Sequence, residues 1–397
     1  MKRREFIKMG MTGLAAITVG SIKIPGLFRT EAFAAAQTID LAMDAAMVEM
    51  VDGTQVFHWL FSSPSSGPNF PGPVIFATTG DDITINITNN LFEPHAFQIT
   101  GTRIMTPPIP PGRTRSIRFT APAAGTYLYM DPLNDPVHRV LGLHGALVVS
   151  PAGGNTPYSS PTPAVQQLFN DLGTTPQFPK NALSPVGWDP ARFRIWLQHQ
   201  IDPAFNAQAQ ADYLAGRAST VSASQMKANF LPRYFTISGK SGAFASHDKA
   251  IKMQGQIGQP MLVRILNAGL FTHSNHLHAN HFYVTSANNA VQDNVVALDA
   301  QITRPLDRFD WLVPFLRPPD IAGDNTVPLR SLIPNELALT ISGPNGSPGV
   351  PQSPLAYPMH CHMEPSQTAA GGNYPQGSVT DFYFDGDLDG VNFPNVM

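Results

Sequence analysis

Short runs of alternating apolar and polar residues, each closed by a turn, recur along this chain and leave little room for helix. Asp82–Asn89 reads Asp-Ile-Thr-Ile-Asn-Ile-Thr-Asn, and Arg115–Thr120, Gly125–Tyr129 and Gly145–Ser150 are further β-branched or aromatic runs. Side chains alternate faces along a strand, so such runs set one face on a core. Turn residues separate them, with 38 Pro and 32 Gly in 397 residues. The expectation is an all-β chain with a first sandwich over residues 37–152.

A second sandwich is expected over residues 191–397. Its strand patterns are Arg192–Leu197, Tyr234–Gly239, Pro260–Asn267 and Leu337–Ser342. Gly80–Asn89 matches Gly258–Asn267 in spacing, and a duplicated domain is the simplest account. Residues 153–190 are rich in Pro, Ser, Thr, Asn and Gly and read as a linker, with a short helix at Gln166–Leu172. The Ala- and Gln-rich stretch Pro203–Asn229 reads as loop and short helix.

The N-terminus is set apart. Arg3-Arg4 precede an apolar stretch, Met9–Ile22, and Ala32–Ala34 and Ala34–Ala36 offer small-residue cleavage sites. The paired arginines resemble a twin-arginine signal, which exports folded proteins. An ordinary signal peptide is the plainer alternative. Residues 1–36 are therefore expected to be a signal and the mature protein to be periplasmic or extracellular. The apolar stretch is short for a membrane anchor, and no later segment is long and apolar enough to span a bilayer. A net charge of −3, 13% charged residues and no basic run argue against nucleic acid as a partner.

The chemistry concentrates in two short clusters, His273-Ser-Asn-His276-Leu-His278 and His360-Cys361-His362. Six of the twelve histidines lie within 273–281 and 360–362, beside the single cysteine. Imidazole and thiolate favour copper and zinc, so His273, His276, His278, His360, Cys361 and His362 are the expected metal ligands. Strand alternation points His360 and His362 one way and Cys361 the other. His276 and His278 also share a face, so four imidazoles can converge while His273 reaches Cys361. A thiolate on one metal would then be joined through one backbone to imidazoles on another. That is a short electron path, with Cys361 and His273 as the candidates for electron entry.

This arrangement resembles that of the multicopper oxidases. Pro71–Ile75 followed by Gly80-Asp-Asp is similar to the family's early first-domain signature, and Ile109–Gly112 with Phe119–Tyr127 to its later one. The resemblance implies two cupredoxin-like Greek-key sandwiches and copper as cofactor. Its two-domain length is similar to that of two-domain laccases and copper nitrite reductases. It further implies dioxygen and a small-molecule reductant as partners, and a homotrimer or a heteromeric partner as the assembly.

The family's trinuclear copper site needs four His-x-His pairs, and this chain has two, 276/278 and 360/362. The first domain shows Gln98-Ile-Thr100 and Met130-Asp-Pro132 where the resemblance expects the others. A homo-oligomer repeats the same gap. The thiolate site is also short of ligands, with Ser366 and Gly371 where a histidine and an axial residue are expected. Met359 and Met363 share the face of Cys361, as a soft site or as core filling. Tyr129–Gly142 follows the spacing of a nitrite-reductase copper stretch, with Met130 and Asp131 replacing histidine and cysteine and only His138 matching.

The remaining first-domain histidines, His58, His95, His138 and His144, are unpaired. They read as surface or hydrogen-bonded residues, with His95 or His138 as candidates to complete a site of the second domain. His281 reads as a supporting or buried imidazole, and Glu364 as a carboxylate orienting one. Asp385–Gly390 mimics the start of a calcium loop but has Val396 where glutamate belongs, so a polar tail is the plainer reading. The expected function is an exported copper-binding oxidoreductase with a reduced copper complement centred on the second domain. The alternatives are a copper-depleted binding scaffold of the same fold and a periplasmic copper store.

Overall fold

The computed structural model describes residues 36–174, 189, 191–256, 258–316 and 355–386. The signal stretch up to residue 35, the strand pattern Leu337–Ser342 and most of the calcium-like stretch lie outside the described residues. The described chain is all-β, with few helices.

Nine strands build the first sandwich: β1 (Ala36–Glu49), β2 (Gln55–Ser63), β3 (Gly67–Pro68), β4 (Ile75–Thr78), β5 (Asp82–Asn89), β6 (Gln98–Ile99), β7 (Thr114–Thr120), β8 (Gly125–Met130) and β9 (His144–Ser150). One sheet runs β3-β2-β1-β5-β7 and the other β4-β9-β8-β6. The period-2 pattern of β5 fixes its register. Ile83, Ile85 and Ile87 are fully buried while the intervening residues stay part-exposed. Each isoleucine contributes about 2 kcal/mol by leaving water.

The second sandwich contains β10 (Phe193–Ile201), β11 (Tyr234–Ile237), β12 (Met253–Gln256), β13 (Met261–Asn267), β14 (His273–Leu277), β15 (Phe282–Ala287), β16 (Ala290–Val291), β17 (Ala297–Leu298), β18 (Ala300–Thr303), β19 (Arg308–Val313), β20 (Leu355–Cys361) and β21 (Val379–Gly386). Its sheets run β11-β10-β13-β19-β15-β16, with β17 on β15, and β12-β21-β20-β14-β18.

The sequence repeat has a topological counterpart. β5 pairs parallel with β1 and antiparallel with β7. β13 likewise pairs parallel with β10 and antiparallel with β19. In the opposite sheets, β4 joins β9 in parallel and β12 joins β21 in parallel, and two antiparallel neighbours follow in each. β8 is thus the counterpart of β20, and β6 of β14.

Six helices complete the described chain: α1 (Val137–Val140), α2 (Pro163–Thr174), α3 (Pro203–Leu214), α4 (Ala223–Asn229), α5 (Gly242–Ser246) and α6 (Glu364–Thr368). The stretch expected to be loop and short helix around 203–229 is two capped helices. Asp202 accepts from the Ala204 amide ahead of α3, and Ser222 and Gln225 form a reciprocal capping box on α4. Phe205, Ala209, Val221, Met226 and Phe230 pack into the core of the first sandwich, although they follow a strand of the second.

The two sandwiches meet through buried polar groups. Asp310 Oδ1 accepts from Thr126 Oγ1 at 2.8 Å, and Asp310 Oδ2 accepts from Tyr158 OH at 3.0 Å and from Arg264 Nη1 at 3.3 Å. Three imidazoles are also buried there. His58 Nδ1 donates to the Val56 carbonyl, His144 Nδ1 to that of Arg139 and His199 Nε2 to that of Val140. Their other ring nitrogens have no hydrogen-bond partner among the described residues, and the rings surround Phe70.

Burial, opposed by the Val56 carbonyl, holds His58 down at about 4. Burial likewise holds His144 at about 3 and His199 well below its usual range. The unfolded chain takes up protons as pH falls through about 6.5, whereas the native rings stay neutral. Stability is therefore full above that pH and declines as pH drops toward the folded values. At pH 5 His58 and His144 each cost about 2 kcal/mol relative to pH 7.5, and His199 acts in the same direction. Urea midpoints should fall accordingly, and His144→Gln should flatten the dependence. A midpoint unchanged between these pH values would contradict this.

Candidate metal centres in the two sandwiches

β14 and β20 pair antiparallel with His276 opposite His360, Leu277 opposite Met359 and Asn275 opposite Cys361. This register carries His276, His278, His360 and His362 onto one face. Diagonal partners meet there: His276 Nδ1 lies 2.9 Å from His362 Nε2, and His278 Nε2 lies 2.9 Å from His360 Nε2. His276 and His362 stack at 4.8 Å between ring centres, and His276 and His278 at 4.6 Å. One nitrogen from each of His276, His360 and His362 lies within 4.8 Å of the others, close enough to share a metal. His362 is exposed, so the cluster opens to solvent.

Electrostatics suit a metal. Burial and the neighbouring rings of His278, His362 and His276 lower His360 to about 4. Burial, then His278 and His362, lowers His276. Both rings are neutral at neutral pH and keep lone pairs for a cation.

The carboxylate expected to orient an imidazole, Glu364, is exposed on α6. Tyr374 fills that role. Its hydroxyl lies 2.6 Å from His360 Nδ1 and donates to the Cys361 carbonyl at 2.9 Å. His360 Nδ1 is then the donor to the phenol oxygen, which leaves Nε2 to face the cluster. Tyr374 has φ of 58°, uncommon for a bulky residue, in a turn with Gly371, Gly372 and Asn373 also at positive φ. His281 is exposed rather than buried. Sequence spacing could not find Tyr374, because only the turn's geometry brings it back to the strand.

Cys361 lies on the opposite face, fully buried, with His273 Nδ1 3.3 Å from its sulfur. Gln200 sets the tautomer of His273. The Gln200 Oε1 accepts the amides of Leu270 and Phe271 at 2.7 and 2.9 Å, so its NH₂ must face His273 Nε2. His273 therefore carries its proton on Nδ1 and donates it to the sulfur. Met363 also donates its amide to the sulfur, at 3.5 Å, as do the Ser274 amide and the Ser366 hydroxyl. The Met359 side chain fills the core. Burial raises the thiol pKa against these hydrogen bonds. With one imidazole, one sulfur and a serine in third place, these residues do not fit a His₂Cys copper site.

A further cluster lies inside the first sandwich. Asp131 Oδ2 is 2.6 Å from His95 Nδ1 and 2.7 Å from His138 Nδ1. Asp131 Oδ1 accepts the amides of Ala96 and Leu133 at 3.1 and 2.9 Å. Glu93 Oε2 stands 3.6 Å from His138 Nε2. Burial lowers His138, but Asp131 and Glu93 outweigh it and raise the ring to about 9. Burial dominates for His95, which is lowered. Both rings are buried in the first sandwich, so neither reaches the cluster on β14 and β20 as the sequence had suggested.

Divalent metal binding to the exposed cluster should weaken about 10–100-fold in Tyr374→Phe, as removal of an orienting partner does. Cys361→Ser should leave it within about twofold. Competition with a chromogenic chelator measures both, and the reverse ranking would overturn this assignment.

Residues 65–153 match the family model described as Multicopper oxidase. A stretch of 120 residues is 35% identical to L-ascorbate oxidase of Cucumis sativus, covering 25% of this chain and 20% of that protein. Another of 77 residues is 35% identical to multicopper oxidase MmcO of Mycobacterium tuberculosis, covering 17% and 15%. The matched segments thus span a fifth or less of these relatives' lengths. In fold, the chain is similar to a blue copper oxidase from Nitrosomonas europaea, with TM-score 0.60, 17% identity and coverage of 91% and 89%. It is also similar to a copper nitrite reductase from Nitrosomonas europaea, with TM-score 0.53, 18% identity and coverage of 88% and 94%. The described chain thus has the two-domain fold of these copper proteins, and its residues 65–153 match the multicopper oxidase model.

Proposed function

We propose that this protein is an exported copper-binding oxidoreductase with a reduced copper complement, centred on the second domain. The convergence of His276, His278, His360 and His362 on one strand face carries this reading. These four residues would hold copper, which supplies one-electron chemistry when bound. The neutral rings present lone pairs, and Tyr374 fixes His360 so that Nε2 faces inward. The exposed edge at His362 gives a small reductant or dioxygen access from solvent. Cys361 lies on the far side of the same backbone, with His273 beyond it. Export is supported by the Arg3-Arg4 signal pattern alone.

The hydrogen-bonded, protonated state of Cys361 favours a second reading, a copper-holding protein with little turnover. It also limits the first, because a protonated thiol beside Ser366 is poorly suited to the electron-entry role of Cys361 and His273. The test is copper reconstitution of the full chain followed by dioxygen uptake with a phenol. Slow uptake that disappears in His276→Ala/His360→Ala supports the oxidoreductase. Bound copper without uptake supports the store. Failure to bind copper overturns both.

A further inference from the structure

We propose that His95, His138 and Asp131 form a second metal site, enclosed within the first sandwich, for a divalent cation of the zinc and copper(II) class. Three donor atoms, one from each residue, lie within 4.8 Å of one another, and all three residues are buried. The set has two imidazoles and a carboxylate and no sulfur, which suits zinc or copper(II) and excludes a thiolate copper centre.

Asp131 is held as a ligand is held. Its Oδ1 is anchored by two backbone amides, and its Oδ2 faces both imidazoles. Both histidines turn the same nitrogen, Nδ1, to that one oxygen. As hydrogen bonds alone, both Nδ1 atoms would donate to a single acceptor. Among the described residues His95 Nε2 has no hydrogen-bond partner, and His138 Nε2 has only Glu93 Oε2, at 3.6 Å. A cation between the three donors would take the place of the proton on His138, so that the Nδ1 lone pairs and Oδ2 are used together. His138 Nε2–H then points toward Glu93, the usual carboxylate behind a metal-bound imidazole. Trp59 lies edge-on to both rings and closes the site.

The pseudo-repeat supports the placement. His95 precedes β6 as His273 begins β14, and Asp131 follows β8 as Cys361 ends β20. The amides of Ala96 and Leu133 bond Asp131, and those of Ser274 and Met363 bond Cys361, at the same offsets along the chain. The two sandwiches therefore hold one central ligand position in the same backbone cradle. In the first sandwich that position is flanked by two imidazoles, and in the second by one imidazole and Ser366. The first has the more complete ligand set.

A site this enclosed loads as the chain folds. The test uses the full chain with His276→Ala/His360→Ala, which removes the exposed cluster, so failure of the copper proposal does not decide it. The protein is unfolded, refolded with zinc or with chelator, desalted and analysed for metal. About one equivalent of zinc and a raised melting temperature are expected after refolding with zinc. Cobalt(II) in place of zinc should give a visible band of tetrahedral type. Asp131→Asn, which keeps the size and an amide-accepting oxygen, should lose metal and band while its melting temperature without metal still reports a folded protein. Refolded protein without bound metal, or metal retained equally by a folded Asp131→Asn, would overturn the proposal. Copper(II) retained in preference to zinc would place the site at the copper end of the class.

Discussion

The antiparallel pairing of β14 with β20 is the constraint on which the functional face depends. A strand has a side-chain period of two, so placing His276 opposite His360 decides every neighbour at once. Four imidazoles fall on the solvent side, and Asn275, Leu277, Met359 and Cys361 fall on the buried side. A slip of one residue would drive the histidines into the core and expose the cysteine. The buried members Leu277 and Met359 belong to the apolar core of the second sandwich, so hydrophobic burial holds the register that the metal cluster uses.

Duplication explains how one fold carries two unlike sites. Each sandwich places a histidine before one strand and a ligand-type residue at the end of its neighbour, and aims two backbone amides at the latter. The cradle is backbone, so it persists whichever side chain stands there. In the first sandwich it holds a carboxylate between two imidazoles. In the second it holds a thiol that receives hydrogen bonds instead of offering a lone pair to a metal. The imidazole pairs follow the same logic in reverse. Gln98 and Thr100 stand at the offsets from His95 that His276 and His278 occupy from His273. The exposed cluster therefore has no counterpart in the first sandwich.

Much of this was legible in the sequence. Period-2 runs such as Asp82–Asn89 gave the strands, and the likeness of Gly80–Asn89 to Gly258–Asn267 corresponds to topologically equivalent strands. The sharing of a face by His360 and His362, with Cys361 reversed, follows from strand geometry alone. Three features were not legible. Tyr374 reaches His360 through a turn of positive-φ residues that no spacing rule describes. Gln200 fixes the tautomer of His273 from the opposite sheet of the sandwich, 73 positions away in the chain. Asp131 looked like a lost ligand, because its meaning depends on two imidazoles that meet it only in the folded core. The helices at 203–229 were underestimated because their burial against the other sandwich is a tertiary effect.

The central claim is that this face of imidazoles, and not the cysteine, holds the metal. Copper K-edge X-ray absorption on folded protein given one equivalent of copper(II) tests it most directly. His95, Asp131 and His138 are buried, so copper added to folded protein is expected to report the exposed cluster. The account predicts a first shell of nitrogen or oxygen only, with the outer-shell scattering of several imidazoles, and loss of that pattern in His276→Ala/His360→Ala. A short copper–sulfur shell, or solvent oxygens without imidazole scattering, would contradict it.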